Sequence, residues 1–356
     1  DPTIEIYAAG DDVVIFCAGQ VVRPGKVMAV REEARALVDA LASRRSEQEV
    51  RSRSAALYTT LIAPVRTLLP AQSTLVFVSD TRLGFIPFPV LFDAEPGRFL
   101  VEDFAIAVRP ASALPLYERG AAASMPALIV GPPAIEGAAR LPDAEREARD
   151  VAATYRTPTI FTAGAATPAT AGGGLSSPGV FHYAGHAASA ARSPGALLLA
   201  DGRLYASDIA RLELQNLDLV VLAACRSSRA ANDILPRDLA TAFIVAGARN
   251  VVGTGWEIDD AISASTFAEL HRAVASGQSV ASAVRALQLA AIRANQQPTA
   301  WAALTLFSME RSESWERSPS SSSVSFYSTS TRTTPQRSAS PSSTPIERAS
   351  FTTENH

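Results

Sequence analysis

The 356 residues include only two cysteines, four histidines and three methionines. Two thiols, Cys17 and Cys225, cannot staple a fold of this size. They fit a reducing cytoplasm better than a disulfide-bonded secreted protein. No run approaches the roughly 18 consecutive apolar residues of a membrane span, so no membrane association is expected. No stretch concentrates Lys or Arg, and the net charge is −3. That argues against nucleic acid as the main partner, because phosphate binding needs a dense basic surface. There is no Gly-rich phosphate loop, no internal repeat, and neither an initiator Met nor a basic, apolar leader at "DPTIEIYAAGDD". The chain reads as a piece of something longer.

What is present suits a globular protein: 47% of residues are apolar and 19% charged, enough for one large domain or two ordinary ones. "TIEIYAA" and "DVVIFCAG" read as strands, and "MAVREEARALVDALAS" and "QEVRSRSAALYTTLIAPVRTLL" as amphipathic helices. "STLVFVSD" is a strand, and "LGFIPFPVLF" an extended buried loop broken by Pro87 and Pro89. Then "PALIVG" and "TPTIFT" read as strands around the helix "LPDAEREARDVAATY", with 163–179 mostly loop. Three apolar runs follow, "GVFHYAGH", "LDLVVLAAC" and "ARNVVGTGW", then helices over 262–276 and 278–295 and a last strand, "WAALTLFS". Continuous apolar strands alternating with helices predict an α/β fold around a parallel sheet buried on both faces. From Ser308 onward Ser and Thr dominate, which predicts a disordered tail over 308–356.

In parallel sheets, ligands sit at the C-terminal ends of strands. His186 closes one apolar run and Cys225 another, and between them "ALLLADGRLYASDIARLEL" reads as a hairpin and a short helix that could return the chain to a neighbouring strand. Cysteine with histidine is the minimal kit for covalent acyl transfer: a thiolate attacks the carbonyl and the imidazole manages the proton. A buried, inert role for Cys225 remains the alternative. His182, four residues before His186 inside an apolar strand, reads as structural. As a zinc pair the two fail, since Tyr183 stands where the zinc-protease motif needs Glu. Cys17 reads as core, and His271 as a solvated or capping residue. Trp256, Asp259 and Asp260 either line a substrate pocket or cap the following helix.

The stretches "FHYAGH", "ALLLADGRLYASDI", "LDLVVLAAC", "DLATAFIVAGARNVVGTGWEIDD" and "WAALTLF", in this order and spacing, resemble a CHAT domain. That is the caspase-like family often attached to tetratricopeptide repeats. "LIAPVRTLLP", "LGFIPFPVLF", "FLVEDFAIAVRPASA" and "LPDAEREARDVA" resemble its N-terminal half. The resemblance covers 1–307. It implies a caspase–hemoglobinase fold related to separases, metacaspases and gingipains, divided into a degenerate protease-like half (1–125) and a catalytic half (126–307). It carries the family dyad onto His186 and Cys225, and the oxyanion donors onto the backbone N–H groups of Ala187 and Cys225. Two positions depart from the relatives. Ala187 stands where Gly commonly follows the histidine. Ala223 stands where metacaspases place an Asp for a basic substrate side chain, which argues against a simple Arg/Lys pocket. The implied activity is a cysteine endopeptidase acting on a protein substrate, gated by a partner or an upstream repeat region, with no metal or cofactor. The alternative is a caspase-like scaffold that binds partners and cuts nothing.

Overall fold

The computed structural model describes residues 2–110, 114–117, 126–190, 193–224 and 238–310. The chain opens with three strands, β1 (Thr3–Ala9), β2 (Asp12–Cys17) and β3 (Gln20–Lys26), then α1 (Val27–Ala42) and α2 (Glu47–Leu61). Ser46 caps α2 by accepting from Glu49 N. Next come β4 (Thr74–Ser79), the small hairpin β5 (Phe92–Asp93) and β6 (Arg98–Phe99), the turn α3 (Leu100–Asp103) and β7 (Ala105–Arg109). The second half runs β8 (Ala127–Pro133), α4 (Pro142–Ala152), β9 (Pro158–Ala163), α5 (Pro168–Gly174) and β10 (Val180–Ala184). A hairpin sheet, β11 (Ala187–Ala190), β12 (Ser193–Leu199) and β13 (Gly202–Tyr205), leads through α6 (Ala206–Ile209) into β14 (Leu219–Ala223). Then follow α7 (Leu239–Val245), β15 (Asn250–Thr254), α8 (Asp260–Ala275), α9 (Val280–Arg293), α10 (Pro298–Trp301) and β16 (Leu304–Ser308).

Eleven strands form one sheet in the order β3-β2-β1-β4-β7-β16-β15-β14-β10-β8-β9. It is mainly parallel; the β1–β2, β2–β3 and β15–β16 pairs are antiparallel. Helices cover both faces of its second half, which explains why those strands carry no polar alternation. On one face Phe181, Tyr183, Val220 and Leu222 pack with α5, α6 and α7. On the other, Ile129, Val180, Leu219 and Val221 pack with α4, α8 and α9. The N-terminal strands bury Ile4, Ile6, Leu75 and Phe77 against α1 and α2. Phe77 stacks on Phe88 with ring centroids 3.8 Å apart, so the proline-broken stretch is buried as expected. Each such side chain contributes roughly 1.5–3 kcal/mol through its removal from water.

Two expectations need correction. Residues 163–179 hold the helix α5, because Thr167 caps it by accepting from Thr170 N and Pro168 sits in the first turn. His271 is fully buried rather than solvated, because it lies on the apolar stripe of α8 with Phe267, Ala268 and Val274. Strand β16 runs through Ser308, so it includes the residue at which the composition changes. Of the proposed tail, 311–356 lie outside the described residues.

Candidate active site

The chain reverses direction across the sheet between β8 and β10. From β8 it crosses to β9 on the outer side, then returns past β8 to β10 and moves on to β14. Such a reversal opens a crevice at the C-terminal strand ends. Here it forms a cleft of about 1010 Å³, lined by Pro132 and Pro133 from β8, Thr162 and Ala163 from β9, the loop 134–141, and His186.

His186 follows the end of β10 and is half-buried. Its Nε2 lies 2.7 Å from the Ala139 carbonyl, and since a carbonyl only accepts, Nε2 carries the proton. Nδ1 is then the nitrogen left for chemistry when the ring is neutral. The backbone beneath is pinned: the His186 carbonyl accepts from Leu198 N at 2.9 Å and lies 2.7 Å from the Tyr183 hydroxyl. That hydroxyl also reaches the Leu198 carbonyl at 2.6 Å, and burial pushes its pKa up, so it stays a proton donor. Gly185 is needed for this arrangement, because a Cβ there would meet the Tyr183 hydroxyl at 2.6 Å.

β10 and β14 pair in parallel, with Ala184 opposite Ala223. Gly185 N donates to the Ala223 carbonyl at 3.3 Å, and the Ala224 carbonyl accepts from Thr254 Oγ1 at 2.9 Å. The backbone leading into Cys225 is therefore bonded next to His186. Cys225 itself lies outside the described residues. Ala187 opens β11 opposite Leu197. Because Leu198 N donates to the His186 carbonyl, Ala187 and Leu197 form a non-hydrogen-bonded pair, and the Ala187 N–H is directed away from β12.

The remaining candidates take other places. Trp256 is 1% exposed, donates its indole N–H to the Thr299 carbonyl at 2.7 Å, and packs with the core of the N-terminal strands rather than in the cleft. Asp259 caps α8, accepting from Ala261 N and Ile262 N. Asp260 accepts from Asp143 N at 3.0 Å, tying the starts of α8 and α4 together. Cys17 is a core thiol, 2% exposed, and burial pushes its pKa up.

His182 is buried on the α4 and α8 face, where it joins a polar group that the sequence reading did not assemble. Its Nδ1 lies 3.1 Å from His271 Nε2, and His271 Nδ1 lies 2.7 Å from the Tyr155 hydroxyl. On its other side, His182 Nε2 lies 3.1 Å from Glu147 Oε1, a close contact rather than an aligned hydrogen bond. Burial holds His271 well below the ordinary imidazole range, and the neighbouring His182 adds to this. Burial pushes the Glu147 carboxyl up, while His182 opposes that shift. One arrangement of ring protons places one between His182 and Glu147. Tyr155 donates to His271, His271 Nε2 donates to His182, and His182 Nε2 carries its proton towards the carboxylate. Glu147 was visible in outline, since the apolar stripe Ala144–Ala148–Val151 runs through it.

Among the described residues, no group of three or more His, Cys, Asp or Glu could hold a metal ion. No helix among them is long and apolar enough to cross a membrane.

Several solved structures are similar at low identity. Saccharomyces cerevisiae separase in complex with securin gives a TM-score of 0.45 at 13% identity over 72% of this chain and 17% of that one. The Arg-specific cysteine proteinase gingipain R gives 0.47 at 11% identity over 76% and 69%. The complex of pro- and mature gingipain domains from Porphyromonas gingivalis gives 0.44 at 12% identity over 79% and 74%. The chain thus spans only a small part of the separase chain. No curated protein sequence matches it. The CHAT domain family description matches residues 51–308, well over half of the length, and the chain belongs to that family.

Proposed function

We propose that the protein is a cysteine endopeptidase in which Cys225 is the nucleophile and His186 the acid–base group. The observation that carries this reading is the β10–β14 seam, where Gly185 N bonds the Ala223 carbonyl and so places the two strand ends side by side. The Cys225 thiolate attacks the scissile carbonyl carbon, forming an S–C bond. The negative charge on the carbonyl oxygen is met by backbone N–H groups, with Ala187 and Cys225 as donors. The C–N bond then breaks as His186 passes a proton to the leaving amine. Water hydrolyses the thioester, releasing the acid and restoring the thiol. The Ala139 carbonyl sets the ring by holding Nε2–H, which leaves Nδ1 for the proton transfers. Membership in the CHAT family supports a peptidase-type hydrolase acting on a protein substrate. The division into halves at about residue 125, and gating by a partner or repeat region, belong to the same proposal.

The test is cleavage of a peptide library and of candidate partner proteins by wild type, Cys225→Ala, His186→Ala, the double variant and His182→Ala, with circular dichroism as the folding control. The first two variants are expected to abolish turnover, and the double variant to be no worse, because nucleophile and base act as a unit. Retained cleavage in His186→Ala removes the dyad. A wild type that cuts nothing replaces the peptidase with the scaffold.

A further inference from the structure

The loop that holds the His186 ring is itself held from below. It leaves β8 at Pro133 and enters α4 at Pro142, and the Ala139 carbonyl sits near its far end. Helix α4 has no side-chain cap of its own at Leu141. Its start is tied instead by Asp143 N to Asp260 Oδ2 at 3.0 Å, and its second turn by Glu147 to His182 at 3.1 Å. Strand β10 and the residues just after it therefore grip the same loop-and-helix segment twice: His186 takes the Ala139 carbonyl and His182 takes Glu147.

We propose that Glu147 is a positioning residue for His186: by locking α4 to His182 it fixes the Ala139 carbonyl that orients the working imidazole, with Asp260 as a second tether. Packing alone gives little reason for a carboxylate here. Burial disfavours its charge, and a well-packed apolar side chain of similar volume usually costs nothing or stabilises. What an apolar side chain cannot supply is register. The face that α4 turns to the sheet is built from Ala144, Ala148, Ala152 and Val151, small groups over which a helix can slide or rotate with little change in contact. The 3.1 Å approach of the buried Glu147 Oε1 to His182 Nε2 defines one setting, the role in which buried polar pairs are best attested. A shift of α4 by a fraction of a turn would carry Ala139 away from His186 Nε2, freeing the ring to flip or change tautomer.

This inference rests on His186 as the working imidazole, but its test needs no turnover. The full chain has four histidines, so ring resonances can be assigned by single substitution and read by long-range proton–nitrogen correlation. In the wild type, His186 is expected as the Nε2–H tautomer with a slowly exchanging ring proton. Glu147→Leu, which keeps volume and loses the contact, is expected to mix the tautomers and speed exchange of that proton about ten-fold or more. Glu147→Gln, which keeps an acceptor oxygen in place, is expected to preserve the wild-type pattern. Asp260→Ala is expected to act in the same direction as Glu147→Leu, more weakly, and it serves should the Leu variant fail to fold. A folded Glu147→Leu protein with unchanged His186 resonances overturns the proposal, as does an equal loss in the Gln and Leu variants. If the wild type shows this ring signature yet cleaves nothing, the peptidase reading fails while the positioning stands.

Discussion

Gly131 lies so close to Ala184 that a Cβ on it would sit 1.8 Å from the Ala184 carbonyl oxygen. Its φ of +128° is also one that side-chain-bearing residues rarely adopt. Neighbouring strand ends at the floor of the cleft thus meet backbone to backbone. Gly131→Ala is expected to destabilise the protein by about 3 kcal/mol or more, because the clash is with a strand rather than a movable side chain. The check is the midpoint of urea unfolding, and an unchanged midpoint would show that β8 and β10 are not so closely apposed.

His271 gives stability a particular pH dependence. Its folded form resists protonation, so as pH falls through the ordinary imidazole range, about 6.5, the unfolded chain takes up protons that the folded chain does not. Stability from this group is therefore lost on acidification. Glu147 acts in the opposite sense: its carboxyl is pushed up by burial, so its contribution is lost as pH rises above the ordinary carboxylate range, about 4.3. His271→Gln keeps hydrogen-bonding groups and removes the titration. Between about pH 7.5 and about pH 5.5 the variant is expected to lose less stability than the wild type. Equal changes in the two proteins would contradict the burial of a neutral His271.

The two thiols are expected to differ in reactivity. Cys17 is shut in the core, with burial pushing its pKa up, while Cys225 is proposed as the nucleophile. Brief iodoacetamide treatment followed by peptide mapping is expected to label Cys225 about ten-fold faster or more. Faster labelling of Cys17 would sink the nucleophile assignment.

Deleting 312–356 is expected to leave the thermal midpoint within about two degrees of the full chain. The reason is compositional: a Ser- and Thr-rich segment buries too little apolar surface to offset its ordering entropy. A larger drop in a melting experiment would show that the segment packs on the fold.

Much of this architecture was legible because apolar runs and helical stripes are local patterns. β1, β2, β4, β8, β9, β10, β14, β15 and β16 all fall on runs read as strands. β3 escaped because it is an edge strand with Pro24 and Gly25, mostly exposed and so without an apolar pattern. α7 escaped because its seven residues are too few to show a period. The strand end at His186 was readable from the sequence, but the carbonyl that orients its ring belongs to Ala139, and backbone groups leave no mark on side-chain chemistry. The sequence left Trp256 open between pocket lining and helix capping, because position after a strand end says nothing about which core an aromatic ring will enter. The Glu147–His182–His271–Tyr155 group joins one strand and two helices, and no spacing in the chain announces it.

β16 is the last of the described strands in chain order and a central one in space, lying between β7 and β15. Until residues 304–308 are in place, β7 and β15 each present an open edge, and the two groups of strands share no strand pairing, only contacts such as those that α9 makes through Arg285 with the Val101 and Glu102 carbonyls. Unpaired strand edges invite association with other chains. A chain stopped just before Leu304 would thus carry nearly every described element of the fold and still expose two unpaired strand edges in the middle of its sheet.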